Sequence, residues 1–191
     1  MGLLENIKNV VSDVSKTAQT ETKEVDVVFD RIPETLEDFT SLPQAELSTP
    51  FDTAALTVLA LCVYPKDKDL CFAMLDFLRG KSRPMNNVEK HLIADHFQAQ
   101  SYVPRSYFDG ATPVNGYTPE EPYTVRVSDD QLSYVTKGHA TLNLKSGGAE
   151  SPRKINLRKG EDEKWYLWEQ FLLVGIEEPP EKKPIIERIG S

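Results

Sequence analysis

The hydrophobic period of this chain changes once, near Tyr123, and that change limits the folds open to it. Before it, apolar residues recur at helical spacing; after it they alternate, as in a strand with one buried face. In PYTVRVSDD, Tyr123, Val125 and Val127 alternate with Thr124, Arg126 and Ser128. QLSYVTK, HATLNLK and RKINLRK are predicted as further strands, separated by DD, KG and SGGAESP. KWYLWEQFLLVGI reads as a strand through at least Trp168, which puts Trp165 and Trp168 on opposite faces. A helix stays open for the segment 167–175, because so apolar a run hides its period.

Ahead of Tyr123, STPFDTAALTVLALCVY carries Ser48 and Thr49 as N-cap candidates, Pro50 at the first helical position and Asp52 at the positive helix end. Phe51, Ala55, Val58, Leu59 and Cys62 share one face of that helix. Asp67 caps a second, with Leu70, Cys71, Met74, Leu75 and Leu78 as its stripe and Gly80 as its stop. A third is predicted over 87–99, capped by Asn86 or Asn87, with Val88, Leu92, Ile93 and Phe97 inward. Upstream, VDVVF reads as a strand and PETLEDFTSLP as a short helical turn. The sum is an α+β domain, an N-terminal helical half of about three core helices packed on a C-terminal antiparallel β-meander. No βαβ alternation is present, which argues against a doubly wound nucleotide-binding fold.

In MGLLENIKNVVSDVSKTAQ, Leu3, Leu4, Ile7, Val10, Val11 and Val14 form the apolar side of a predicted amphipathic helix over 1–20. Its polar side balances Glu5 and Asp13 against Lys8 and Lys16. Three fates stay open: docking on its own domain or a partner helix, lying on a membrane surface through residues 3–18, or a frayed tail. Residues 21–180 then form a single domain, and 181–191 a mobile or loosely docked tail.

The net charge of −8 is concentrated. Residues 21–52 hold nine acids and two bases, a balance of −7 that leaves the rest of the chain near neutral. No basic face for phosphate neutralisation is predicted, which argues against nucleic acid as a partner. Arg79, Lys81, Arg83 and Lys90 are the only local basic cluster and read as solvated charges at helix ends. Cys62 and Cys71 lie inside apolar helical patterns and read as small buried hydrophobes. No apolar run reaches the roughly 18–20 residues that span a bilayer, and no secretory pattern opens the sequence, so a cytoplasmic location is expected, with membrane-peripheral attachment through the N-terminal helix as the variant.

Catalytic signatures are missing from the sequence. There is no phosphate-cradling loop ending in Lys-Ser/Thr, no nucleophile elbow, no H-E-x-x-H and no C-x-x-C, so no cofactor, metal or catalytic residue is predicted. His91 and Asp95 share a helix face, which reads as an exposed pair, or, in a hydrolase-like alternative using His91 or Asp109, as an oriented imidazole. The aromatic segment SYFDGATPVNGYTPEEPY is more suggestive. Tyr102, Arg105, Tyr107, Asp109, Thr112, Asn115 and Tyr117 combine rings with hydrogen-bonding groups, as a pocket for a small molecule or a protein contact would. The same rings serve equally as the private core of a long connection, with Asn115-Gly116 as its turn.

The phrases FDTAALTVLALCVYPKDKDLCFAMLDFLRG, YVPRSYFDGATPVNGYTPEEPYTV, KSGGAESPRKINLRK and WYLWEQFLLVGI resemble a family of uncharacterised bacterial proteins known as a domain of unknown function, over roughly residues 24–180. The resemblance implies a bacterial, intracellular protein and brings no activity or site residue with it. The expected function is a non-enzymatic binding or interaction module. The alternatives are membrane or partner-helix association and the hydrolase-like enzyme.

Overall fold

A computed structural model describes residues 22–180; the predicted amphipathic helix over 1–20 and the tail over 181–191 lie outside the described residues. The order is β1 (Glu24–Phe29), α1 (Leu36–Thr40), α2 (Pro50–Val63), α3 (Lys68–Arg79), α4 (Asn87–Ala99), β2 (Tyr123–Ser128), β3 (His139–Leu144), β4 (Arg153–Lys159) and β5 (Trp165–Gln170). Turns of 3₁₀ helix occupy Pro43–Glu46 and Val103–Tyr107. The class is α+β, as the change of period predicts.

The helices begin where local chemistry lets them. The Thr49 hydroxyl accepts from Asp52 N–H at 3.2 Å and donates to its carboxylate at 2.6 Å, opening α2. Asp67 accepts from Leu70 N–H at 2.9 Å to open α3. Asn86 and Glu89 form a reciprocal capping box on α4.

α2 exceeds its predicted single stripe: all its residues except Asp52 and Cys62 are buried. It lies between the sheet and α3, and a helix flanked on both sides must be apolar nearly all round. Its buried hydroxyls are satisfied, Thr53 donating to Trp165 O at 2.7 Å and Thr57 to Thr53 O at 2.8 Å. α4 deviates the other way. Ile93 and Phe97 are buried, whereas Val88 and Leu92 are 68% and 57% exposed, because nothing among the described residues covers that side.

The five strands form one antiparallel sheet in chain order, β1 to β5. β1 precedes every helix of the described residues yet pairs along its length with β2, from Glu24↔Ser128 to Phe29↔Tyr123. Val125, Val127, Ala140, Leu142, Leu144, Ile155, Leu157 and Leu167 form the buried face. The opposite face is a polar lattice in which Arg126 grips Asp26 with two hydrogen bonds, 2.8 and 3.1 Å, and Thr141 donates to Asn156 at 3.0 Å.

One strand expectation is corrected, and the strand expected through at least Trp168 is found. QLSYVTK is a series of turns, not a strand. Asp130 accepts from Leu132 N–H and Asn143 Nδ2, and its own N–H donates to Ser133 Oγ, so side chains take hydrogen bonds a ladder would use. β5 ends at Gln170, whose side chain accepts from Leu172 N–H at 2.8 Å; Leu172, Leu173 and Ile176 are then buried from irregular backbone, neither strand nor helix.

Candidate functional site

The aromatic segment places most of its polar groups on its own packing. Tyr107 is 2% exposed and donates to Leu172 O at 2.6 Å. Tyr117 is fully buried, donates to Glu177 O at 2.6 Å and stacks on Tyr102, with centroids 5.3 Å apart and planes within 7°. Its φ of 54° is left-handed, a conformation a non-glycine residue holds at a cost of about 1–2 kcal/mol that this packing offsets. Asn115 accepts from Thr112 N–H at 2.9 Å and donates to Gly110 O at 2.9 Å, tying the turn shut. Arg105 is half-buried; Asp109 is exposed and its N–H joins Thr124 O. Burial pushes the Tyr117 phenol up to about 12, so it donates throughout the physiological range.

These contacts make Tyr107→Phe a test of the packing role. It strips the Leu172 carbonyl of its buried partner and is expected to lower stability by about 1–2 kcal/mol, read by urea denaturation.

None of the seven predicted binding residues lines any of three clefts that indent the surface of the described residues. His91 and Asp95 are both exposed on α4, and His91 lines none of the clefts either. Among the described residues no group of three or more His, Cys, Asp or Glu side chains is placed to hold a metal. One cleft is a 650 Å³ shelf over the Gly147–Ser151 loop. The other two adjoin, sharing Arg79, Arg83, Leu167 and Trp168.

Trp168 is the centre of that pair. The register slips between Asn156 and Leu157, leaving Trp168 as the extra residue of a bulge. The guanidinium carbons of Arg83 and Arg158 lie 3.7 and 3.3 Å from its ring centroid. Two such groups cannot share one face that close to the centre, so the indole is sandwiched between them. Each contact is worth about 0.5–2 kcal/mol. Arg83 also donates to Trp168 O at 2.6 Å, and Arg79 donates to Arg83 O at 2.9 Å and to Glu89 at 2.8 Å.

The basic cluster is therefore not simply solvated: the Arg79 side chain is only 9% exposed. Burial, then the like charge of Arg79, presses Arg83 below the ordinary guanidinium value; Arg158 adds to this, and Glu89 and Glu169 oppose it. The Arg158 Nε–H is buried without an acceptor among the described residues. Sequence spacing brings Arg79 and Arg83 together, but no local signal joins them to Arg158 and Trp168.

The larger cleft, a groove of 1160 Å³, runs between the end of α3 with residues 80–84 and the β4–β5 hairpin. Arg79, Lys81, Arg83, Arg158, Lys159 and Lys164 line it with Asp76, Glu161 and Asp162, and Arg79, Lys159 and Lys164 pair with Glu89, Glu163 and Glu46 beside it, which leaves Lys81, Arg83 and Arg158 as the lining cations without a carboxylate ion pair among the described residues. Asp76 is committed to Met85 N–H at 2.7 Å and Asp162 to the Tyr166 hydroxyl at 2.6 Å.

Glu89 braces the wall of this site. Burial acts to raise its carboxyl, but the Asn86 N–H and Arg79 outweigh it and hold the group below the usual glutamate range. A depressed folded value means the stabilisation is present above the unfolded value, near 4.5, and is lost as pH falls through the folded one. Glu89→Gln is thus expected to destabilise the protein at pH 7, with the gap from wild type closing towards pH 3, measured by urea melts at both.

Fold and site define an α+β domain with a helical layer over one sheet face and a cation-lined groove at the sheet's β5 edge. The chain belongs to the family described as Domain of unknown function (DUF6935), whose model matches residues 31–180. The match takes in every described element after β1. No curated protein and no solved structure matches the chain.

Proposed function

We propose that this domain is a non-enzymatic binding module that takes an anionic ligand or protein segment in the groove beside Trp168. The observation that carries the reading is the Arg83–Trp168–Arg158 stack in the wall of a groove that Lys81 also lines. A fixed guanidinium array costs little further ordering when an anion arrives, and arginine suits planar, two-pronged anions. The aromatic segment supports the module from behind by fixing residues 172–177. The reading includes a bacterial, cytoplasmic setting, in keeping with Cys62 and Cys71 as unpaired thiols. No helix of the described residues is long and apolar enough to cross a membrane.

The test is a thermal-shift panel of anionic metabolites, nucleotides and acidic peptides on the full chain and on Lys81→Glu/Lys164→Glu. A ligand at a hundredfold excess over its Kd stabilises by about 2.7 kcal/mol, a shift of several degrees for a domain of this size. At least one probe should raise the wild-type Tm and fail with the double variant. A panel that moves neither protein overturns the reading. Recovery of the protein in the membrane fraction after cell lysis would overturn the cytoplasmic setting.

A further inference from the structure

We infer that the groove's occupant is an acidic peptide segment carrying an aliphatic anchor residue; this rests on the binding-module reading and names its partner. The second cleft carries the inference. It measures 200 Å³ and lies between α3, α4 and β5, with Leu75, Met85, Leu92, Ile93 and Leu167 as its apolar wall and Glu89, already bound to Arg79, and Glu169 at its polar side. It adjoins the cationic groove, sharing Arg79, Arg83, Leu167 and Trp168 with it. An apolar socket and a basic channel thus meet at one side-chain stack. A small inorganic anion would use the channel and leave the socket empty. A peptide spanning a few residues, at about 3.3–3.6 Å each, reaches both.

The surface at the socket's mouth points the same way. Leu92 and Val88 stand one turn apart on the uncovered side of α4, Leu92 on the rim of the socket. An exposed aliphatic pair beside an apolar socket, flanked by arginines, has the layout of a buried anchor with a charged surround. The chain's own sheet edge is not the recognition element. Leu47 O accepts from Trp165 N–H, Thr53 donates to Trp165 O and Arg83 donates to Trp168 O, so β5 offers no run of open backbone groups for an added strand. Recognition runs through side chains, in the manner of acidic-motif capture by arginine clusters.

The experiment is fluorescence anisotropy on the full chain with three labelled dodecapeptides: acidic with a central leucine, the same with glycine in its place, and the leucine peptide with every acid replaced by lysine. The acidic leucine peptide is expected to bind, with the glycine peptide about tenfold weaker, the scale of losing one buried leucine, and the lysine peptide silent. Leu92→Asp should make the two acidic peptides equal, and Lys81→Glu/Lys164→Glu should weaken both by about tenfold, the scale of a lost charge pair at a partly buried site. Both variants change exposed or rim residues, and unchanged melting temperatures confirm their folds.

Equal wild-type binding of the leucine and glycine peptides overturns the anchor and with it the inference. So does binding of ATP or tripolyphosphate with no response to either acidic peptide, an outcome that leaves the binding-module reading standing. Silence of all these probes, together with a flat thermal-shift panel, overturns both.

Discussion

Gly147→Ala is expected to cost roughly 3 kcal/mol of stability or more, lowering Tm by about 6–12 °C. A methyl at Gly147 would sit 2.9 Å from the carbonyl carbon of Ala111 and closer still to its oxygen. Both obstacles are backbone, so no side chain can rotate away. The loop is pinned on the same spot by Gly147 N–H donating to Ser106 O at 2.8 Å and by the buried Ser146–Ser106 hydroxyl pair at 2.8 Å. Moving it would break these bonds and disturb the shelf on which Gly148 meets the Tyr117 phenol. Gly110→Ala is the control. Its φ is 77° but nothing lies within 4 Å of the added methyl, so only the backbone cost of about 1–2 kcal/mol applies. Thermal melts of the two variants separate steric from conformational cost; a Gly147→Ala protein as stable as wild type would mean the loop is not packed as described.

Leu59→Ala is expected to cost about 2–5 kcal/mol in urea denaturation. Leu59 is fully buried at the centre of α2, the helix that touches all five strands as well as α3. The neighbours cannot collapse into the space, since α2 is held at one end by its Thr49 cap and near it by the Thr53 bond to β5. Cys62→Ala, on the less buried side of the same helix, is the matched comparison and should cost clearly less. Similar losses at both positions would contradict the central placement of α2.

What could be read from the sequence follows from how far each interaction reaches. The N-caps at Thr49, Asp67 and Asn86 are settled within three residues, so they were legible, as was the change of period at Tyr123. The turns over 131–137 were not. Leu132, Tyr134 and Val135 mimic a strand, but Asn143 lies thirteen residues beyond Asp130 and helps hold it in a turn. The outward aliphatics of α4 fit a helical stripe, and only the positions of α3 and β5 show which part of that stripe is covered.

The functional readings were subject to the same limit. Whether Tyr107 and Tyr117 present hydroxyls to a ligand or to the fold depends on Leu172 and Glu177, some sixty residues away. Arg79, Lys81 and Arg83 were visible as a cluster, but the indole that Arg83 stacks on comes from β5 and the second guanidinium from β4. A side chain's role is local information only when its partner is local.

The pairing of β1 with β2 has a consequence for synthesis. Glu24 and Ser128 face each other across the ladder, yet every helix of the described residues lies between them in the chain. At about 5–20 residues per second, a ribosome exposes β1 for on the order of five to twenty seconds before β2 can emerge. Through that interval the nascent strand is an orphan with both edges open. Glu24 and Asp26 within it and Asp30 just beyond sit in the stretch that carries −7 of the chain's net charge of −8, and like charges on an open strand disfavour its pairing with a neighbouring copy. When β2 arrives, Arg126 pairs with Glu24 and Asp26 and neutralises part of that charge, so the strand's edge loses its repulsion only on the side that β2 covers.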